Sequence, residues 1–216
     1  STASPRLPGA RTSPPGRRIS RTVRTAIAEN MPMKTASVAG VQAIQNEGQS
    51  GQLSMAHAAV SSRASAYGRP HYMVRSRLYK GLCDGSMGVG SLVDDERLKL
   101  VLPRACCYCG TPDKLSLDHL FPIKRGGRDT GDNILWSCGS CNSSKGAKDL
   151  LEWFRSRGRF PPLLLLRRYL KLAIGHCEET GLLDIPIDEP LTLPFAFQEI
   201  PHTFPAPNSL ILCPVC

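Results

Sequence analysis

Two cysteine pairs constrain the fold of this chain more than any other feature of its sequence. The first pair is Cys106-x2-Cys109 and the second is Cys138-x2-Cys141, and the two pairs stand 29 residues apart. Four thiolates at this spacing suit a tetrahedral zinc ion, because each short turn directs two sulfur atoms at one point. Disulfide bonds are the alternative, but a cytosol or an organelle matrix is reducing and disfavours them. The spacing therefore predicts a structural zinc site.

Two features of the cysteine pattern stay open. Cys107 stands beside the first pair, and either Cys106 or Cys107 could join Cys109 in a distorted site. A third pair, Cys213-x2-Cys216, lies far from the other two along the chain. With one further thiol it could form another metal site, for which the sequence offers Cys83 and Cys177.

The segment between the first two pairs predicts the order strand, loop, strand, helix. The first strand ends at Asp118-His119, a loop rich in Gly and Asp follows, and a return strand covers 134–136. A helix is expected to begin at about Gly139. Its buried face is predicted to consist of Leu150, Trp153 and Phe154.

The residues that mark this order form a sequence motif. In chain order they are Cys-x2-Cys-Gly, Asp-His-x2-Pro, Gly-Gly, an Asn before the second strand, and Cys-x2-Cys-Asn-x2-Lys. This motif resembles the HNH endonuclease family, and more closely the zinc-stapled branch of the ββα-metal nucleases. The resemblance covers residues 105–149, about a fifth of the chain. It implies an α+β fold, in which a small ββα-metal domain pinned by a four-cysteine zinc site carries flanking helices and long irregular extensions.

The same resemblance implies roles for four side chains. Phosphodiester hydrolysis requires an activated water, stabilisation of charge on the phosphate and help for the leaving oxygen. By similarity, His119 is the general base, and Asp118 and Asn142 ligate a catalytic divalent cation. Asn133 holds the loop and orients His119. Because Asn142 stands where the family name has His, an oxygen ligand there favours Mg²⁺ or Mn²⁺ over a softer metal.

Each of these residues also has a structural interpretation. His119 could simply hydrogen-bond the loop, and Asn133 could cap the turn at 131–132. Basic residues of the loop and of the following helix are candidate contacts to nucleic acid, namely Lys124, Arg125, Arg128 and Lys145. Lys124, Arg125 and Arg128 could instead serve only to keep the Gly-rich loop solvated. Lys145 is expected to be exposed.

Charge is distributed unevenly along the chain. Residues 1–80 hold 12 Lys and Arg against two acids, whereas residues 81–216 hold 15 against 16. A basic arm beside a near-neutral body favours a polyanionic partner, either nucleic acid or an anionic membrane surface. The first 28 residues are rich in Arg and Ser and contain no acid, which is typical of a mitochondrial or chloroplast transit peptide. The longest apolar run, 163–166, is far too short for a membrane span.

Composition and periodicity divide the chain into four parts. Residues 1–75 are predicted to be a basic, low-complexity extension, and residues 76–158 the HNH-like domain with a preceding helix. Residues 159–180 are predicted to form a packing helix, and residues 181–216 a Pro-rich extended tail.

Two flanking helices have recognisable ends. The first is predicted over 91–104, with Ser91 as N-cap and three acids in its first turns. The second is predicted to start near Pro162 and to break near Gly175. Its buried positions follow helical spacing and are Leu163, Leu166, Leu170 and Ile174.

Two functions from different classes follow from these observations. The first is a metal-dependent endonuclease that cuts DNA or RNA, located in an organelle or otherwise in the cytoplasm. The second is a non-catalytic, zinc-containing subunit of a large organellar assembly such as a ribosome, which binds RNA or protein through its extensions. The retained Asp118, His119, Asn133 and Asn142 favour the enzyme, and the basic arm and the long tails favour the subunit. A thiol redox protein is a third, weaker possibility, because its strand–helix context is missing.

Overall fold

The computed structural model describes residues 49–84, 86–88, 90, 92–182, 195–196, 199–200 and 203–216. The predicted transit-like segment and most of the predicted basic extension lie outside these residues. None of the described helices is both long enough and apolar enough to cross a membrane.

The sheet consists of two antiparallel strands, β1 (Leu115–His119) and β2 (Ile134–Cys138). Both predicted strands are therefore confirmed. The register pairs Ser116 with Ser137 and Asp118 with Leu135. Because side chains alternate along a strand, these four residues share one face of the sheet, and His119 lies on the other face.

Two short helices, rather than one, follow β2. Helix α4 (Gly139–Lys145) ends at Gly146, whose φ of 52° is left-handed, and α5 (Leu150–Ser156) starts after it. Asp149 caps α5 by accepting a hydrogen bond from the backbone N–H of Leu151 at 2.8 Å. The predicted single helix is thus wrong at residues 146–149. Its predicted apolar face is confirmed, since Leu150, Trp153 and Phe154 are all buried.

Helix α6 (Leu163–Thr180) forms the centre of the core. The predicted break near Gly175 is wrong, because the helix continues to Gly181, where φ is 70°. One glycine in a helix costs only about 1 kcal/mol, and burial of the neighbouring Ile174 and Cys177 outweighs that cost. The four predicted core positions are confirmed as buried, namely Leu163, Leu166, Leu170 and Ile174.

Helix α3 (Val93–Val101) is held against α6 by charged side chains. Asp95 is buried and pairs with Arg167 at 3.0 Å and with Lys171 at 2.7 Å. Arg168 donates to the backbone oxygen of Asp132 at 2.7 Å, which ties α6 to the start of β2. The predicted N-cap, at position 91, lies outside the described residues.

Helices α1 (Gln49–Ser61) and α2 (Arg69–Cys83) form a pair that contacts α6 through α1. Leu53, Met55, Ala56 and Ala59 of α1 are buried. Within the described part of the predicted extension over 1–75, residues 49–61 and 69–75 are helical, and the boundary at residue 75 falls inside α2. Small side chains explain the difference, because they bury little area individually but allow two helices to approach closely.

The C-terminal segment packs onto the core in the parts that the structure describes. Phe195, Ile200 and Leu210 are buried, and the backbone N–H of Leu163 donates to the oxygen of Ile211 at 3.0 Å. The described residues of the predicted Pro-rich tail therefore contact the core.

Candidate active site and metal centre

The four predicted zinc ligands converge on one point. The sulfur atoms of Cys106, Cys109, Cys138 and Cys141 all lie within 4.8 Å of one another. The Cys109 and Cys138 sulfurs are 3.7 Å apart, close to the separation of about 3.8 Å that tetrahedral Zn–S bonds of about 2.3 Å require. All four are free thiols, so they do not form the alternative disulfides. The donor set and its geometry fit a closed structural zinc site.

Local backbone structure positions each pair of thiols. Gly110, with φ of 83°, turns the chain after the first pair. Cys138 ends β2 and caps α4, and its sulfur accepts a hydrogen bond from the backbone N–H of Cys141 at 3.4 Å. Burial opposes ionisation of Cys106, but backbone N–H donors outweigh it and lower the pKa of Cys106 to about 7. Burial and the neighbouring thiols raise the pKa of Cys141.

The remaining cysteines lie outside this cluster. Cys107 is the residue that the sequence left open, and it is absent from the group of four; its backbone N–H donates to the Trp136 oxygen instead. Cys213 and Cys216 form a disulfide bond with each other, and Cys177 is a buried free thiol. The additional metal site considered for Cys213 and Cys216 is therefore contradicted.

His119 lies at the end of β1 beside an acid that the motif does not contain. Its Nε2 atom is 2.8 Å from Oδ1 of Asp129, and 29% of the His119 side chain is exposed. Asp129 belongs to the loop between the strands, and its side chain is 78% exposed. The pair is therefore open to a ligand. A carboxylate on one ring nitrogen fixes the orientation and the tautomer of the imidazole.

Asn133 is buried and fastens both ends of the loop that carries Asp129. Its Oδ1 accepts the backbone N–H of Phe121 at 2.8 Å, and its Nδ2 donates to the backbone oxygens of Phe121 and Arg128 at 2.9 and 2.7 Å. This geometry agrees with a residue that holds the loop. The predicted role of Asn133 in orienting His119 would act through the backbone, and it stays a prediction.

The second glycine of the Gly-Gly pair in this loop, Gly127, lies where a larger residue does not fit. A Cβ atom at Gly127 would lie 2.0 Å from the backbone oxygen of Phe121. Real Cβ atoms do not approach an oxygen so closely, so only glycine allows the loop to close at this point.

Asp118 is buried and already neutralised by a lysine. Its Oδ2 accepts a hydrogen bond from the Tyr108 hydroxyl at 2.7 Å, and the Lys145 Nζ lies 3.2 Å from Oδ2 and 3.4 Å from Oδ1. Burial raises the pKa of Tyr108 well above its usual value, and the Asp118 carboxylate does so too, so the phenol remains a donor.

The position of Lys145 corrects a prediction. The side chain is fully buried, and its Nζ donates to the backbone oxygen of His119 at 2.7 Å. Burial lowers the pKa of Lys145, while the charge of Asp118 opposes that shift. A lysine enclosed in this way does not reach a phosphate, so the predicted exposed contact to nucleic acid is wrong. The physical reason is that α4 packs against both strands and directs the Lys145 side chain toward the interior.

The arrangement does not fit the divalent-cation site predicted at Asp118 and Asn142. Asn142 is half-buried, and its Nδ2 donates to Ser116 Oγ at 3.2 Å and to the Leu117 oxygen at 3.3 Å. Both Asp118 oxygens face donors in the interior, namely the Tyr108 hydroxyl and the Lys145 ammonium. Among the described residues, the cysteine cluster is the sole group of three or more His, Cys, Asp or Glu ligand atoms close enough to hold a metal.

The basic residues of the loop differ in their freedom to bind an anion. Arg125 pairs with Glu152 at 2.8 Å and is 30% exposed, whereas Arg128 pairs with Glu179 at 2.6 Å and is 60% exposed. Lys124 is exposed and forms no ion pair with a described residue. Lys124 and Arg128 are therefore the two loop cations that a phosphate could engage.

The comparison with known families agrees with this geometry. Residues 106–148 match the family model described as HNH endonuclease. The chain carries an HNH domain. No curated protein and no solved structure matches the chain. The HNH match begins at the first zinc thiol and ends three residues after Lys145, so it contains the cysteine cluster, both strands and α4.

Sequence reasoning missed one residue of this HNH site, Asp129. Its sequence signal is weak, since an acid in a Gly-rich loop is common. Its position opposite His119 depends on the loop closure that Asn133 and Gly127 enforce.

Proposed function

We propose that the HNH domain hydrolyses phosphodiester bonds in nucleic acid, with His119 as the general base. The observation that carries this proposal is the open His119–Asp129 pair, 2.8 Å apart at the end of β1.

The chemistry follows from the two ring nitrogens of His119. With Nε2–H donated to Asp129, the lone pair of Nδ1 accepts a proton from water while the water oxygen attacks phosphorus. The bond to the leaving sugar oxygen breaks, and that oxygen takes a proton from solvent. Asp129 stabilises the imidazolium that forms, and Lys124 and Arg128 offset charge on the phosphate.

Divalent-cation chemistry is a family property that this arrangement does not accommodate at Asp118. A cation there would have to displace the Lys145 ammonium, which lies 3.2 Å from Asp118 Oδ2. The steps assigned to His119 and Asp129 therefore involve no metal.

One observation favours a second candidate function, a non-catalytic subunit that binds nucleic acid. The buried Asp118–Lys145 pair removes the carboxylate charge that the family's reaction would use. An organellar location and membership of a ribosome-like assembly would accompany this function; the first rests on the composition of the first 28 residues, and the second on the basic arm and the long tails.

A nuclease assay separates the two functions. Purified protein is incubated with plasmid DNA and with structured RNA, with and without added Mg²⁺ or Mn²⁺, beside His119→Ala. Cleavage by the wild type that is lost in a variant with intact zinc content and folding supports the enzyme. A wild type that cleaves no substrate, or His119→Ala that cleaves as fast as wild type, would overturn it.

A further inference from the structure

Helix α2 (Arg69–Cys83) stands out by its charge. It contains Arg69, Arg75, Arg77 and Lys80 and no acid. The whole segment 49–83 holds five basic residues and no Asp or Glu. It therefore carries concentrated positive charge outside the HNH domain.

Among the described residues, these charges differ from those elsewhere in having no ion-pair partner. None of the five basic residues of segment 49–83 forms an ion pair with a described acid. Of the fifteen described basic residues in the rest of the chain, nine do. Surface cations without local acids attract a polyanion strongly.

The same helix exposes apolar side chains. It carries four of the eleven large hydrophobic residues that are exposed in the described structure. They are Tyr72, Met73, Val74 and Tyr79. Tyr72 and Tyr79 are seven residues apart and so project from one side of the helix, about 10 Å apart along its axis. At helical spacing, Arg69 and Lys80 lie on the adjoining side of the helix, and Arg77 lies further around; all three are exposed.

Helix α2 is fixed to the rest of the structure on the side that carries Arg75. Gly51 of α1 lies so close that a Cβ there would be 3.3 Å from the Arg75 backbone oxygen. Before the helix, the Tyr67 hydroxyl donates to the Pro205 oxygen at 2.8 Å, and the Tyr67 ring contacts the Tyr72 ring edge-on. The outward residues of α2 are thus presented by an anchored helix.

We infer that the outward face of α2, formed by Arg69, Tyr72, Arg77, Tyr79 and Lys80, binds single-stranded nucleic acid. Backbone phosphates attract the three cations, and unpaired bases stack on the tyrosine rings. The exposed rings favour a single strand over a duplex, whose bases are already stacked on one another. This surface lies outside the HNH domain, and its binding does not depend on cleavage by His119.

Fluorescence anisotropy tests this inference in the full chain. All proteins carry His119→Ala, so that the probe, a fluorescein-labelled mixed-sequence 20-mer, stays intact. The first variant adds Tyr72→Ser and Tyr79→Ser, and the second adds Arg69→Gln, Arg77→Gln and Lys80→Gln. A matched control removes three charges elsewhere, by Arg97→Gln, Lys114→Gln and Arg155→Gln. Circular dichroism and zinc content verify folding.

The expected result has two parts. The tyrosine variant binds the single strand at least about fivefold more weakly, because stacking on two rings is lost. The charge variant lowers the slope of log K against log salt by about 2, since three phosphate contacts at roughly 0.7 each are removed. The control changes neither quantity to this extent.

Three results would overturn the inference. In the first, both variants bind the single strand as tightly as the control does. In the second, wild-type α2 binds a duplex of the same sequence more tightly than the single strand. In the third, the α2 variants lose binding to phosphatidylserine vesicles but keep binding to the oligonucleotide. Because binding is measured without turnover, an inactive wild type with intact α2 binding refutes only the proposed function.

Discussion

Substitution of Lys145 by Met tests the account of the buried ion pair. Met has a similar shape but no charge, so it leaves the Asp118 carboxylate in the interior with the Tyr108 hydroxyl as its partner. The Lys145 side chain is 0% exposed and that of Asp118 is 9% exposed, so water replaces little of the lost interaction. The hydrogen bond to the His119 oxygen disappears as well. Removing one partner of a buried pair costs about 3–5 kcal/mol, which is the loss expected here.

Urea unfolding at constant zinc concentration measures this loss by linear extrapolation. The double substitution Lys145→Met with Asp118→Asn is expected to recover part of it, because the uncompensated charge is then absent and the amide still accepts from Tyr108. Lys148→Met, on an exposed side chain nearby, is the matched control and should change the free energy of unfolding by less than about 0.5 kcal/mol. If Lys145→Met stays within about 1 kcal/mol of wild type, the pair is not buried as described.

Three further perturbations test other parts of the structure. Cys138→Ser should abolish stoichiometric zinc and unfold the domain, and unchanged zinc content by native mass spectrometry would contradict the site. Burial lowers the pKa of His57, so its stabilising contribution is present above about pH 6.5 and is lost as pH falls. Accordingly, the free energy of unfolding of His57→Gln should fall less steeply than that of wild type between about pH 7 and pH 5. An unchanged slope would refute the assignment of this pH dependence to His57. Gly127→Ala should displace the loop at Phe121 and lower both stability and cleavage, whereas Gly131→Ala, where a Cβ meets open space, should have little effect.

Short-range patterns made much of the HNH domain predictable. The two strands and the four cysteines depend on residues close together in the chain, and the C-x2-C turns place two sulfurs each without reference to the remaining fold. The buried face of α6 was equally predictable, because its spacing follows one helix.

The predictions failed where a residue's environment depends on distant elements. Lys145 was expected on the surface, but α4 packs against both strands. The Lys145 side chain is thereby directed toward Asp118, 27 residues earlier in the sequence. Asp129 went unnoticed because only loop closure brings it to His119. The α1–α2 pair was hidden by its small residues, since the close approach at Gly51 contributes packing without hydrophobic periodicity.

The measurement that tests the central claim most directly is the cleavage rate of Asp129→Asn. An exposed acid, Asp113, supplies the matched control Asp113→Asn. Single-turnover cleavage of a labelled oligonucleotide is followed at about pH 7 for both variants and for wild type. The account predicts that Asp129→Asn cleaves roughly 10- to 100-fold more slowly while Asp113→Asn matches wild type, because Asp129 contacts the His119 ring and fixes its orientation. Equal rates for all three proteins would contradict the role assigned to the His119–Asp129 pair.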